Sequence, residues 1–360
     1  MRIEAYSVAS VRHRNLDPDW HYAGRDVPEL PGLRVALRAG REVGEGYAPF
    51  LPHLDATPEV LFRAGREIAA GMIGADAGDL DECLTRLGSC ARPRNAGRSA
   101  VEMALLDLVA RLRGQPVTRM LGGQARPIEV LRIIPVKSPE RMAELADDYA
   151  AQGFRALKLK ATGSVEADTA RVAAVRDAVG PDVTITVDAN QSYDAVTALE
   201  LEKSLRHLGV WSLEQPVPAT DLSALSRVRL GSAARIEADE GLFAMADLEA
   251  LIAAEAADGI SLKLARSGGI LPSREMAHRA AHFGVYARLG TAFGGPLMTL
   301  ATAALDAVVA AAGSAECAEF THFDDDDHAP PVIRDGMLLP PDGPGFGQHR
   351  RTPWSASWEE

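Results

Sequence analysis

Lysine is the residue this chain nearly does without. Of 38 basic residues only five are lysine, namely Lys137, Lys158, Lys160, Lys203 and Lys263, and the other 33 are arginine. Arginine serves wherever a permanent cation suffices, because it keeps its proton, whereas an ammonium can be tuned into a base. The few lysines are therefore candidates for chemistry. Cysteine is equally scarce: Cys83, Cys90 and Cys317 are too few for a disulfide framework and lack the paired spacing of a zinc site, which fits a reducing cytoplasm. No run of eighteen apolar residues occurs, and the opening MRIEAYSVASVRH alternates like a strand instead of forming a signal-peptide core, so neither a membrane span nor export is expected. Fifty acidic residues give a net charge of −12 with no basic patch, which excludes nucleic acid as an expected partner.

What is present is a large globular composition. With 360 residues, 47% hydrophobic and 24% charged, the chain exceeds one ordinary core, so two domains or a barrel with a smaller domain are expected. Residues 1–122 read as an α+β capping domain. Alternation over Arg2 to Val11 and Leu33 to Leu37 suggests an antiparallel meander, and the apolar spacing from Ser99 to Arg113 predicts a helix stopped by Gly114 and Pro116. A strand is expected over Glu129 to Val136. Residues 123–332 then repeat short apolar strands and alanine-rich helical patterns, with strand ends near Pro135, Lys160, Asp188, Glu214, Asp239, Lys263, Leu289 and His322. Eight such strands predict a parallel α/β barrel of the TIM type, whose chemistry sits at the C-terminal strand ends. Residues 333–360 are expected to return to the capping domain.

The charged strand ends carry the argument. Alternation in ALKLK puts Lys158 and Lys160 on one face, turned into the barrel mouth. Asp188, Glu214 and Asp239 end the next three strands, and Lys263 ends the one after. Three carboxylates this close suit a hard divalent cation, Mg²⁺ or Mn²⁺, with lysines on opposite sides. A metal-chelated carboxylate substrate has its α-proton acidified, so one lysine removes that proton and another acts from the other face. The neighbouring lysine and the metal are expected to depress the base's pKa. A single strand-end acid is more often a helix cap, and a lone lysine more often a surface residue. Five consecutive charged strand ends are much harder to ascribe to that.

ALKLK, TITVDANQSY, WSLEQPVP, IEADEGL and GISLKLARSGGI, with the helix SAVEMALLDLVARLRGQPVTRMLGG, together resemble the enolase superfamily in its muconate-lactonizing branch. The resemblance implies a capping domain over a modified (β/α)₇β barrel, Mg²⁺ on Asp188, Glu214 and Asp239, and Lys160 and Lys263 as the acid/base pair. Lys158 would hold the substrate carboxylate or the enediolate. The implied protein is an isomerase, a racemase or epimerase of an N-substituted amino-acid-type carboxylate, expected as a homo-oligomer. β-Elimination and cycloisomerisation use the same site, while a Schiff-base aldolase on Lys263 and a non-catalytic binding barrel are the alternatives of other classes.

Further residues complete the expected site. Asn190 and Glu240 follow metal ligands and would support the metal shell, although Asn is also a turn former and Glu240 also reads as a loop acid. The run Asp324 to Asp327 lies where dipeptide epimerases carry D-x-D, so Asp325 and Asp327 would hold a substrate ammonium, against the reading of a solvated surface run. Gly268 and Gly269 read as a loop turn. ARLGTAFGGPL resembles the D-x-W-G-G segment of proline-betaine epimerases and cis-3-hydroxyproline dehydratases, with leucine and Thr291 in place of the acid. Trp20, Tyr22, Arg25, Tyr47 and Phe50 of the capping segments would wall the pocket.

Overall fold

The structure is a computed structural model describing residues 1–22, 25–54, 57–323, 325–348, 350–352 and 354–360. Alternating apolar positions at the start of the chain form β1 (Ala5–Arg14), the two-residue strands β2 (His21–Tyr22) and β3 (Arg25–Asp26), β4 (Glu29–Ala39) and β5 (Glu42–Pro49). β1, β4 and β5 make one antiparallel sheet, turned between β4 and β5 at Gly40, whose φ of 61° suits a two-residue hairpin. Two helices pack on it, α1 (Pro58–Gly71) and α3 (Asn95–Leu112), and α2 (Leu80–Leu87) packs against those two. Thr57 caps α1 by accepting from the Val60 amide, and Asp79 caps α2 through the Glu82 amide. The sequence placed the start of α3 one turn too late, because Asn95 to Arg98 carry no apolar stripe. They are nevertheless buried, since α3 lies between the sheet and the rest of the molecule. Glycine permits this approach: a Cβ on Gly44 would stand 2.2 Å from the Ala104 carbonyl oxygen, and one on Gly46 1.9 Å from that of Ala100.

After α4 (Val117–Met120) come β6 (Ile128–Glu129) and β7 (Leu131–Ile134), and then the repeating units. These are α5 (Pro139–Ala151), β8 (Ala156–Lys160), α6 (Val165–Val179), β9 (Thr184–Asp188), α7 (Ala195–Leu205), β10 (Val210–Glu214), α8 (Leu222–Gly231), β11 (Arg235–Ala238), α9 (Met245–Ala253), β12 (Gly259–Lys263), α10 (Leu264–Ser267), α11 (Ile270–His282), β13 (Tyr286–Gly290) and α12 (Pro296–Asp306). β7 to β13 lie side by side in chain order in one parallel sheet. Caps supplied by Ser138, Ser164, Asp194 and Asp221 start four of the helices.

The eighth strand needs a correction. The stretch ending at His322 is a short 3-10 helix, Glu319–His322, and not a strand. The sheet is closed earlier, by Ala315 and Glu316. The Leu131 amide donates to the Ala315 oxygen (2.8 Å), the Glu316 amide to Leu289 (2.9 Å) and the Thr291 amide to Glu316 (3.0 Å). β7 is thereby tied to β13, giving the modified barrel. The hairpin β14 (Val332–Arg334) and β15 (Met337–Leu339) pairs with β6. Beyond it the Phe346 amide bonds Asp107 of α3, Trp354 Nε1 donates to Ser7 Oγ, and the Glu359 amide donates to the Tyr6 oxygen. Among the described residues no helix is long and apolar enough to cross a membrane.

Candidate active site

Parallel register decides which side chains share the barrel mouth. Lys160 lies opposite Asp188, and Asp188 opposite Glu214. Glu214 pairs with Glu237, so Asp239, two residues further, projects from the same face just past β11. Lys263 and Gly290 end β12 and β13 in register. Gly290 leaves room for both groups: a Cβ would lie 3.0 Å from Glu316 Oε2 and 3.3 Å from Lys263 Cε, a tight approach.

The ion pairs converge on the carboxylates. Lys158 Nζ lies 2.9 Å from Asp188, 2.8 Å from Glu214 and 2.5 Å from Glu316. Lys160 Nζ reaches Asp188 at 2.6 Å and donates to Asn190 Oδ1 at 3.0 Å. From the other side, Lys263 Nζ reaches Asp239 at 2.6 Å, and the Arg266 guanidinium holds the same carboxylate and its backbone oxygen. Asn190, held at φ 42°, donates to Glu240 Oε1 at 3.1 Å and so links two strand-end loops.

Burial sets the electrostatics. It pushes Glu214 up to about 8, Lys158 pulling the other way and Asp188 and Glu316 adding to the rise. Burial also raises Asp188 and Asp239, but Lys158 and Lys160 outweigh it at the first, and Arg266 and Lys263 at the second, leaving both well below the usual carboxylate range. Glu240 is pushed up to about 7 by burial and by Asp239. Two of the lysines, Lys158 and Lys263, are held above the ordinary value by the carboxylates that face them. Burial disfavours the ammonium of Lys158, yet Asp188, Glu214 and Glu316 outweigh it and hold its pKa well above the ordinary value. Lys263 is raised against its burial by Asp239 and Glu316. A neighbouring lysine is one positive charge, and the carboxylates around it are several.

Among the described residues, no three acidic, imidazole or thiol groups stand ready-made around one point, because the carboxylates are turned to the ammonium groups. The donor chemistry nonetheless fits a hard cation. Asp188, Glu214 and Asp239 are at most 1% exposed, offer only oxygen, and leave Glu214 Oε2 buried with no hydrogen-bond partner.

A narrow cavity of about 40 Å³ lies over Lys160, Asp239, Lys263 and Glu316, walled by Trp20 and Phe293. Trp20 stacks edge-on to His322 (4.3 Å between centroids) and Phe293 (5.5 Å). Of the other expected wall residues, Tyr47 is buried against Gly32, Phe50 packs on the core, and neither lines this cavity. Thr291 is turned away to Glu319 Oε2 at 2.6 Å. The side chains of Tyr22 and Arg25, and Asp324, lie outside the described residues.

Of the acidic run, Asp325, Asp326 and Asp327 do not line the cavity. Asp325 accepts from His13 (3.0 Å) and the Arg14 amide; Asp326 pairs with Arg34 (2.9 Å) and His328 (3.1 Å); Asp327 pairs with Arg34 and Arg350 and accepts from Thr352. The ammonium contact expected of Asp325 and Asp327 thus falls on side chains that side chains of the sheet and tail already engage. Gly268 and Gly269 have φ of 91° and 135° and serve close approach, since a Cβ on Gly269 would come 2.0 Å from Glu102 Oε2. Sequence reasoning missed Glu316, Arg266 and His53. Glu316 was within reach, because strand ends recur every 24 to 28 residues and Glu316 lies 27 beyond Leu289, whereas His322 lies 33 beyond.

Residues 37–122 match the mandelate racemase / muconate lactonizing enzyme N-terminal domain, and residues 141–351 the enolase C-terminal domain-like family. The chain is 33% identical over 268 residues to the N-succinyl-L-Arg/Lys racemase of Bacillus cereus, covering 73% of each chain. It superposes on the substrate-liganded L-Ala-D/L-Glu epimerase of Bacillus subtilis with a TM-score of 0.91 at 26% identity, covering 97% of this chain and 99% of that one. The dipeptide epimerase of Methylococcus capsulatus, complexed with Mg and the dipeptide L-Arg-D-Lys, gives 0.89 at 28% identity over the same shares.

Proposed function

We propose, since the chain belongs to the mandelate racemase / muconate lactonizing branch of the enolase superfamily, that it is an isomerase that racemises or epimerises an N-substituted amino-acid carboxylate with Mg²⁺. The observation that carries the reading is the pair of lysines on either side of three carboxylates, Lys160 on Asp188 and Lys263 on Asp239, each at 2.6 Å, with β9, β10 and β11 between their strands. Inversion at Cα needs an acid/base group on each face. Asp188, Glu214 and Asp239 would hold the ion. When bound, Mg²⁺ supplies the charge that acidifies the α-proton and draws the carboxylates' field off the lysines.

Lys160 takes the α-proton from one face and Lys263 returns one from the other, each able to reverse its role. Lys158, fully buried and fixed by Glu214 and Glu316, keeps its charge and holds the substrate carboxylate end. Asn190 orients Lys160, and Arg266 orients Asp239. Trp20 and Phe293 keep bulk water from the reacting carbon. The reading is tested by incubating dipeptides and N-acylamino acids in D₂O with Mg²⁺ and following the α-proton signal. Loss of that signal from recovered substrate, abolished by chelator and restored by Mg²⁺, is expected. Full exchange in a thoroughly chelated sample would remove the metal from the mechanism, and consumption of substrate without exchange would point to elimination.

A further inference from the structure

β7 sends its side chains to two sides. Ile133 faces inward and lines the catalytic cavity, while Arg132 beside it faces outward toward α5, its guanidinium over the Tyr149 ring at 4.8 Å. A position between a parallel sheet and its helices is ordinarily apolar. Here it holds a cation that is only 9% exposed. Buried charges are ordinarily paired, but among the described residues no carboxylate pairs with this one, and its side-chain hydrogen bond runs from Nη1 to the Ala318 oxygen (3.1 Å). Glu319 feels the charge but is bonded to Thr291. An arginine has five N–H donors, so most of them remain, and the side chain lines a pocket of about 540 Å³ that is open to solvent.

That pocket is separate from the catalytic cavity. Among the described residues Trp20 is the one side chain lining both, and its ring, packed edge-on to His322 and Phe293, forms the partition. Pro135, Leu145, Tyr149 and Trp20 supply apolar wall. The other charges are matched or lie outside: Lys137 pairs with Asp17 at 3.2 Å and Arg141 with Glu144 at 2.7 Å, while Asp19 is exposed at the rim. His322 adds no charge, because burial and Arg132 push its pKa down to about 3. Arg132 is left as the unopposed cation of the pocket.

We propose that this pocket is a second ligand site, taking a small organic monocarboxylate with an apolar or aromatic body, its carboxylate on the Arg132 guanidinium and its body among Leu145, Tyr149 and Trp20. The planar guanidinium fork matches a carboxylate, and one unopposed charge matches a single negative charge better than the two of a phosphate. The ligand is a molecule other than the substrate, since Trp20 closes the way between the two spaces. It packs on the outer side of the ring that walls the catalytic cavity and so braces Trp20 from behind. The site stands independently of the racemase reading.

The test titrates 3-phenylpropionate and its neutral amide into the full chain by calorimetry, and follows the indole N–H signals of protein labelled with ¹⁵N at tryptophan, that of Trp20 being assigned with Trp20→Phe. The carboxylate is expected to bind about tenfold or more tighter than the amide and to move the Trp20 signal. Arg132→Gln, which keeps a donor for the Ala318 oxygen, should erase that preference. Leu145→Trp, which fills the pocket from the half-buried face of α5, should weaken both compounds and serves where the buried arginine is needed for folding. Equal affinity for acid and amide in the wild type overturns the proposal. Carboxylate binding that both variants leave unchanged places the probe at the barrel mouth and overturns it as well. Inhibition of α-proton exchange that substrate competes away and Arg132→Gln relieves would make the anion the substrate's own far end, which also rejects a separate site.

Discussion

At the residue scale, the site separates groups that act on one face from groups that serve both. Lys160 and Lys263 each pair with a different carboxylate, so a Lys→Arg change at either keeps the charge and removes the base. Exchange of one enantiomer's α-proton should fall by about 10²–10⁴-fold in each single variant, the usual share of a general base, while that of the other continues. Equal residual exchange of both enantiomers in either variant contradicts the assignment. Glu316 belongs to neither face. Glu316→Gln takes a charge from the buried Lys158 ammonium without changing shape, and should lower stability by about 1–3 kcal/mol, the range for a buried group left short of a partner. Exchange of both enantiomers should drop together. Chemical denaturation with the same D₂O assay reads both, and wild-type values in both would take Glu316 out of the site.

At the element scale, the sheet and α3 are in contact because glycine leaves room. Gly46→Ala drives a methyl toward the Ala100 oxygen, which cannot yield without moving the helix, so a loss of about 3 kcal/mol is expected, at the upper end for overpacking. Gly71, the last residue of α1, meets nothing within 4 Å, and Gly71→Ala should be neutral or stabilising by about 0.4–1 kcal/mol. The two denaturation midpoints should move in opposite directions or differ clearly; equal shifts would mean that α3 does not need its seat on β5. Asp194 opens α7 with a reciprocal capping box through Thr197, and Asp194→Ala should cost about 1 kcal/mol in the same measurement.

At the scale of the whole molecule, one charged cluster fastens three parts of the chain together. Asp326, Asp327 and His328 meet Arg34 and Glu45 of the sheet and Arg350 of the tail. Burial disfavours the charge on His328, but Asp326 and Glu45 outweigh it and raise its pKa above 6.5. Its contribution to stability is then complete below pH 6.5 and fades as pH climbs through the raised value. Asp326 and Glu45 are raised by burial but lowered more by His328 and the arginines, so their contributions hold above their ordinary 3.8 and 4.5 and are lost as pH falls. The Tm difference between wild type and His328→Gln should therefore be widest between about pH 4.5 and 6.5 and narrow on both sides. A difference that stays constant from pH 5 to 9 would show that His328 carries no charge in the fold.

The sequence by itself determined the barrel and its chemistry, because a parallel strand followed by a helix recurs at a nearly fixed length and each strand's last residue faces the mouth. Lys158, Lys160, Asp188, Glu214, Asp239 and Lys263 could be placed together from alternation and spacing alone. Tertiary structure decided what periodicity does not encode. The closing strand is two residues of an irregular segment, recognised only through its bonds to β7 and β13, and so Glu316 came from the fold. The first turn of α3 has no apolar stripe, because its burial comes from two sides at once. A run of aspartates reads alike in a loop whether it awaits a ligand or is already paired. Arg34, nearly three hundred residues away in sequence, meets Asp326 only in the folded chain.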